Sequence, residues 1–118
     1  MTAALESSTR EYTWRITQGA RERLVIPVFR DGSPEDVSAW TVDARIRTQP
    51  GGELLYTWPA ELISVLGPEV TLTVPAPVSS SWAWERGWYR VVLTAPAGTA
   101  EDPESWRVLQ GELVVDPE

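Results

Sequence analysis

Apolar and polar residues alternate along this chain in short runs, and Gly, Pro, Asp or Ser breaks each run within ~8–12 residues. A helix repeats its apolar face every ~3.6 residues, a strand every ~2. No stretch sustains the helical period over a useful length, so the pattern restricts the chain to many short strands. The first is expected near 12–17, with Tyr12, Trp14 and Ile16 on one face and Thr13, Arg15 and Thr17 on the other. Gln18-Gly19-Ala20 breaks it. The second, near 22–30, is apolar on both faces and contains Pro27, which lacks a ladder donor and so predicts an edge position or a bulge.

After the turn Asp31-Gly32-Ser33-Pro34, the third strand places Trp40, Val42, Ala44 and Ile46 opposite Thr41, Asp43, Arg45 and Arg47. Gln49-Pro50-Gly51-Gly52 reads as a hairpin leading into 54–58. Short strands near 62–66 and 70–74 follow. Residues 78–86 fit either a helical turn or an extended crossover. Tyr89, Val91 and Leu93 share one face of a strand over 88–94. Leu109, Gly111, Leu113 and Val115 share one face of the last strand, over 106–115. The expected architecture is all-β, a β-sandwich or small barrel of about seven to eight short antiparallel strands. Residues 1–10, small and polar, are expected as a flexible N-terminal arm, and 11–118 as a single domain.

Composition narrows the chemistry. The 118 residues contain no cysteine, no histidine and no lysine, and all 10 basic residues are arginines. The usual general base, Schiff-base chemistry, the phosphate-loop lysine and cysteine metal sites are therefore missing. Carboxylates, hydroxyls and arginines remain. The net charge of −7 opposes binding to a phosphate backbone and suits a basic neighbour. No apolar run approaches the ~20 residues of a membrane span. The first eight residues have neither a basic start nor an apolar stretch, so no signal peptide is expected. The expectation is a protein without cofactor or metal, made in a bacterial cytoplasm, with neither nucleic acid nor membrane as partner.

Seven tryptophans are the strongest oddity. Trp14 and Trp40 lie on apolar strand faces and are expected in the core. Trp82 and Trp84 fall in a loop-like stretch, where two readings stand open: they seal one end of the fold, or they form a contact patch for a subunit or a sugar ring. Trp88 and Trp106 fall opposite the inward parity of their strands, as exposed handles or interface residues. Arg45 and Arg47 line an outward face, positioned to pair with acids of a neighbouring copy or simply to discourage edge pairing.

Glu85, Glu101, Asp102 and Glu104 are the candidates for a glycosidase pair, but acids in polar loops are ordinarily just solvated. The run 101–104 lacks the alternating ligands and glycine of a calcium loop. Gln18-Gly19 and Gly51-Gly52 precede no helix and are not phosphate loops. Gly19 and Gly111 are expected to serve turn and packing geometry.

The succession Trp14-Arg15-Ile16-Thr17-Gln18-Gly19-Ala20, Asp31-Gly32-Ser33-Pro34-Glu35-Asp36-Val37-Ser38-Ala39-Trp40 and Val42-Asp43-Ala44-Arg45-Ile46-Arg47 resembles a family, as do the Gly51-Gly52-Glu53-Leu54-Leu55 hairpin, Gly87-Trp88-Tyr89-Arg90-Val91-Val92-Leu93-Thr94 and Arg107-Val108-Leu109-Gln110-Gly111-Glu112-Leu113-Val114-Val115. It resembles the small β-sandwich structural proteins of tailed bacteriophages that carry an Ile-Thr-Gln-Gly opening. It is similar to the N-terminal domain of phage upper baseplate proteins. The resemblance covers about 12–116 and departs from the pattern at 78–86, where two tryptophans stand.

It implies an immunoglobulin-like sandwich without catalytic residues, docking in the virion to tail, baseplate or capsid subunits as a homo-oligomer or in many copies. The expected role is a tail, baseplate or fibre-attachment component. The alternatives are a capsid decoration protein on the head surface and, in another class, a carbohydrate-binding module using exposed tryptophan.

Overall fold

The computed structural model describes residues 2–5, 9–96 and 106–117, and over these the chain is all-β with one short helix. In chain order the strands are β1 (Thr9–Glu11), β2 (Trp14–Thr17), β3 (Glu22–Pro27), β4 (Phe29–Arg30), β5 (Ser33–Pro34), β6 (Thr41–Arg47), β7 (Leu54–Thr57), β8 (Ile63–Leu66), β9 (Glu69–Val74), β10 (Arg86–Thr94) and β11 (Trp106–Asp116). A 3-10 turn spans Ala60–Leu62 and the helix α1 spans Ala76–Ser80.

The larger sheet runs β1-β11-β10-β6-β7, with β2 also on β11. A second sheet runs β3-β9-β8, and β4 and β5 form a small ribbon. Period-two patterning decides which faces meet. Trp14 and Ile16 of β2, Ala44 and Ile46 of β6, Tyr89, Val91 and Leu93 of β10, and Leu109, Leu113 and Val115 of β11 turn inward. Leu24 and Ile26 of β3 and Val70, Leu72 and Val74 of β9 join them in one core cluster. Full burial of each large apolar side chain stabilises by about 1.5–3 kcal/mol. These inward parities are the ones the sequence predicts.

Residues 2–5 and 9–10, expected within a flexible arm, lie alongside the two sheets. Ala3 and Leu5 are 1% and 0% exposed, inside the core. Their N–H groups donate to the carbonyls of Val25 and Pro27, and Phe29 N–H donates to the Leu5 carbonyl. The segment runs parallel along the outer edge of β3, with bridges Thr2↔Val25 and Leu5↔Val28. The cause is an open sheet edge whose backbone groups need partners. Pro27 lies on that edge strand, as its missing donor predicts.

The expected first strand divides into β1 and β2, and both pair parallel with β11 rather than antiparallel. The remaining strand pairs are antiparallel. The division falls at Tyr12 and Thr13, where the chain crosses over Gly111. A Cβ on Gly111 would lie 2.1 Å from the Tyr12 carbonyl oxygen, so this glycine marks a close backbone approach. Trp40, expected within the third strand, precedes β6 and is half-buried against the core.

The segment between β9 and β10 takes the helical-turn reading. Pro75 is extended at the N-cap of α1, and Ser79 is buried. The Gln-Gly step holds this helix in place. Gly19, at φ 80°, donates its N–H to Ser79 Oγ at 2.9 Å, and Gln18 Nε2 donates to the Trp82 carbonyl at 3.0 Å. Both residues therefore serve packing geometry.

Candidate functional site

Five of the six candidate residues fall in two surface grooves, and only the backbone of the sixth, Trp106, is described. Trp82 and Trp84 border the first groove. It occupies about 580 Å³ between β7 and the α1 segment and is lined by Leu54, Leu55, Tyr56, Pro77, Val78, Ser81, Trp82, Ala83 and Trp84. Strand β7 closes the larger sheet and, among the described residues, pairs only with β6. Leu54 on this strand is 45% exposed, one of two large apolar side chains among the described residues that face solvent; the other is Leu66.

Trp82 is buried at 8% exposure, whereas Trp84 is half-buried. Trp82 and Trp84 stack with centroids 4.7 Å apart. Tyr56 meets Trp82 edge-on at 5.4 Å and Trp58 edge-on at 5.2 Å. Trp58 stacks on Trp14 at 5.9 Å, and Trp14 meets Tyr89 edge-on at 5.9 Å. A continuous row of rings thus runs from Tyr89, deep in the core, to Trp84 at the groove. Stacked and edge-on pairs of this kind add about 0.5–1.5 kcal/mol each beyond their buried area. Trp58 Nε1–H donates to the Thr73 carbonyl at 3.0 Å, which ties the row to β9. The groove therefore has a rigid wall. Of the pair, Trp82 is packed among other rings at this end of the fold, and Trp84 is half-exposed at the groove.

Trp88, Arg45 and Arg47 meet in the second groove, about 520 Å³ over the outer face of β6, β10 and β11. Strand register brings them together. Arg47 lies beside Trp88, Arg45 beside Arg90, and Asp43 beside Val92. Gln110 continues the Arg45–Arg90 row on β11. Pro50 and Gly51, at the tip of the β6–β7 hairpin, form a wall. Three arginines against one carboxylate make this patch basic on a chain of net charge −7.

Arg45 Nε donates to Asp43 at 3.1 Å, and an Arg47 terminal nitrogen donates to the Gly52 carbonyl at 3.1 Å. A guanidinium carries five N–H donors, so both side chains retain donors for a ligand. Arg90 was not among the sequence candidates. Its signal was available, since it shares the outward parity of Trp88, but its pairing with Arg45 is a tertiary fact.

The Trp106 side chain lies outside the described residues. Its backbone pairs with Thr94, at the end of β10 away from Trp88. Glu85 is exposed, and its backbone carbonyl accepts the Val115 N–H at 2.8 Å. Its proposed acidic companions Glu101, Asp102 and Glu104 lie outside the described residues. Among the described residues no group of three or more His, Cys, Asp or Glu is placed to hold a metal ion.

One buried polar cluster escaped the sequence reading. Arg107 shares the inward parity of Leu109 and is 2% exposed. It donates to Glu35 at 3.1 Å, and the same carboxylate pairs with Arg30 at 2.7 Å. A buried charge must be paired to be tolerated, so this cluster reads as a structural lock between the 30–35 turn and β11. The chain matches no known protein-family model and no curated protein sequence.

Proposed function

We propose that this chain is a non-enzymatic structural part of a tailed-phage particle, an immunoglobulin-like sandwich that docks to a neighbouring subunit through the groove along β7. The observation that carries the docking reading is β7 itself. It is a strand paired on one side, with an exposed leucine and a half-buried tryptophan beside it, backed by a rigid row of rings. Open edges next to apolar pockets accept extended segments, with backbone hydrogen bonds giving affinity and side-chain pockets giving specificity. Natural chains ordinarily blunt such edges with charge or proline; the Leu54-Leu55-Tyr56 stretch does neither.

The strand order supports the sandwich. The run β11-β10-β6-β7 corresponds to the G-F-C-C′ order of variable-type immunoglobulin domains, and β3-β9-β8 to B-E-D. The split N-terminal segment, on β3 and then on β11, contacts both sheets. The chain differs from antibody domains in lacking the inter-sheet disulfide. Placement in the virion rests on the ordered sequence resemblance to phage sandwich proteins.

The test is copy counting by quantitative mass spectrometry on purified particles. A small fixed number per particle supports the tail or baseplate placement. A number matching the major capsid protein replaces it with head decoration. Only weak, salt-labile association with every particle component contradicts the assembly role. Glycan-array binding lost in Trp84→Ala replaces it with the carbohydrate-binding reading.

A further inference from the structure

We infer that the outer face of β6 and β10 is a recognition groove for an extended polypeptide segment of a partner, carrying carboxylates at alternate positions. The groove shares no residue with the β7 groove and does not rest on the virion reading.

Two observations point to an acidic occupant. Arg45 and Arg90 stand directly opposite each other on neighbouring strands. Both are exposed on the outer face of a chain whose overall charge is −7, and Arg45 pairs with Asp43 at 3.1 Å. Arg47 adds a third guanidinium two residues along β6, with Asp43 as the only acid lining the groove among the described residues. An incoming carboxylate meets more guanidinium groups than acids here, and bidentate arginine–carboxylate contacts are among the stronger hydrogen bonds proteins make.

The spacing selects an extended peptide. Arg45 and Arg47 are alternate residues on one face of a strand, so their bases lie about 6.5 Å apart. An extended peptide laid along β6 repeats its own side chains at the same interval. Trp88, beside Arg47, and Val92, beside Asp43, supply an apolar floor, and Gln110 offers both a donor and an acceptor for the bound backbone. The groove offers about 520 Å³ above this floor. The net negative charge disfavours nucleic acid as the occupant.

The test is calorimetric titration of the intact protein, at low ionic strength, with a short synthetic peptide alternating Glu and Gly and with its Gln-Gly counterpart. The Glu peptide is expected to bind and the Gln peptide not to. Arg45→Gln and Arg90→Gln are each expected to weaken binding about tenfold. Each is also expected to leave the thermal midpoint close to that of the unaltered chain, because both side chains are exposed; that reading keeps loss of binding separate from loss of fold. Equal binding of the two peptides, or full affinity in both variants, overturns the inference. So does binding of an oligogalacturonate through the same arginines without binding of the peptide.

Discussion

The carbonyl oxygen of Tyr12 occupies the space a Cβ on Gly111 would need, 2.1 Å from that position. The obstruction is backbone on both sides. The Tyr12 N–H is bonded to the Gln110 carbonyl, and its carbonyl accepts the Tyr89 hydroxyl. No rotamer change relieves it. Gly111→Ala is therefore expected to cost about 2–3 kcal/mol, measured as a lower urea midpoint. An unchanged midpoint would mean that the crossing of β1 and β2 over β11 is loose.

Leu5 tests the N-terminal segment. It is fully buried against the core and hydrogen-bonded along β3. Leu5→Ala is expected to destabilise by about 2–4 kcal/mol. A flexible arm would leave stability unchanged within ~0.5 kcal/mol.

Ser79 tests the Gln-Gly step. Its hydroxyl oxygen accepts the Gly19 N–H at 2.9 Å while the residue is 0% exposed. Ser79→Ala strands that donor, and about 1–2 kcal/mol of stability is expected to be lost. Hydrogen exchange at Gly19 should speed up together with that at Trp82, since Gln18 and Gly19 hold the same segment.

Much of this fold was legible because parity is a local property. Trp14 with Ile16, Val42 with Ala44 and Ile46, and Tyr89 with Val91 and Leu93 announce their inward faces without any knowledge of partners. Ala3 and Leu5 did not, because two apolar residues among polar neighbours carry no period; only the open edge of β3 makes them core. Arg107 misled in the opposite sense: a charge on an inward parity is readable only once Glu35 is known to reach it. The grooves show the same division. Trp88, Arg45 and Arg47 were visible as outward residues, but their meeting, and the inclusion of Arg90, depends on the register between β6 and β10. Trp82 stayed open between packing and contact because its segment lacks a strand pattern; Gln18 draws that segment down onto the core.

Tyr89 makes the fold sensitive to alkali. Burial raises its phenol well above the ordinary value of 10.0, the nearby Tyr12 adds to the effect, and Arg10 opposes it. Burial, with Glu61 beside it, pushes Tyr56 the same way. The unfolded chain ionises these groups at the ordinary value. Above it the unfolded state binds fewer protons than the folded state, and stability falls as pH rises. Stability is expected to be free of this contribution at neutral pH and to fall above pH ~10, by at most about 1.4 kcal/mol per pH unit for each such group. In Tyr89→Phe most of that slope should vanish; the same slope in the variant would place its origin elsewhere.

The assembly role turns most directly on Leu54, whose side chain lines the β7 groove and is exposed enough to change without disturbing the core. The decisive measurement is the amount of Leu54→Asp protein incorporated into purified particles relative to the unaltered chain, at equal expression and with matching thermal midpoints. Docking through β7 predicts a loss of about tenfold or more, as a charge enters an apolar contact. Incorporation equal to that of the unaltered chain would contradict it.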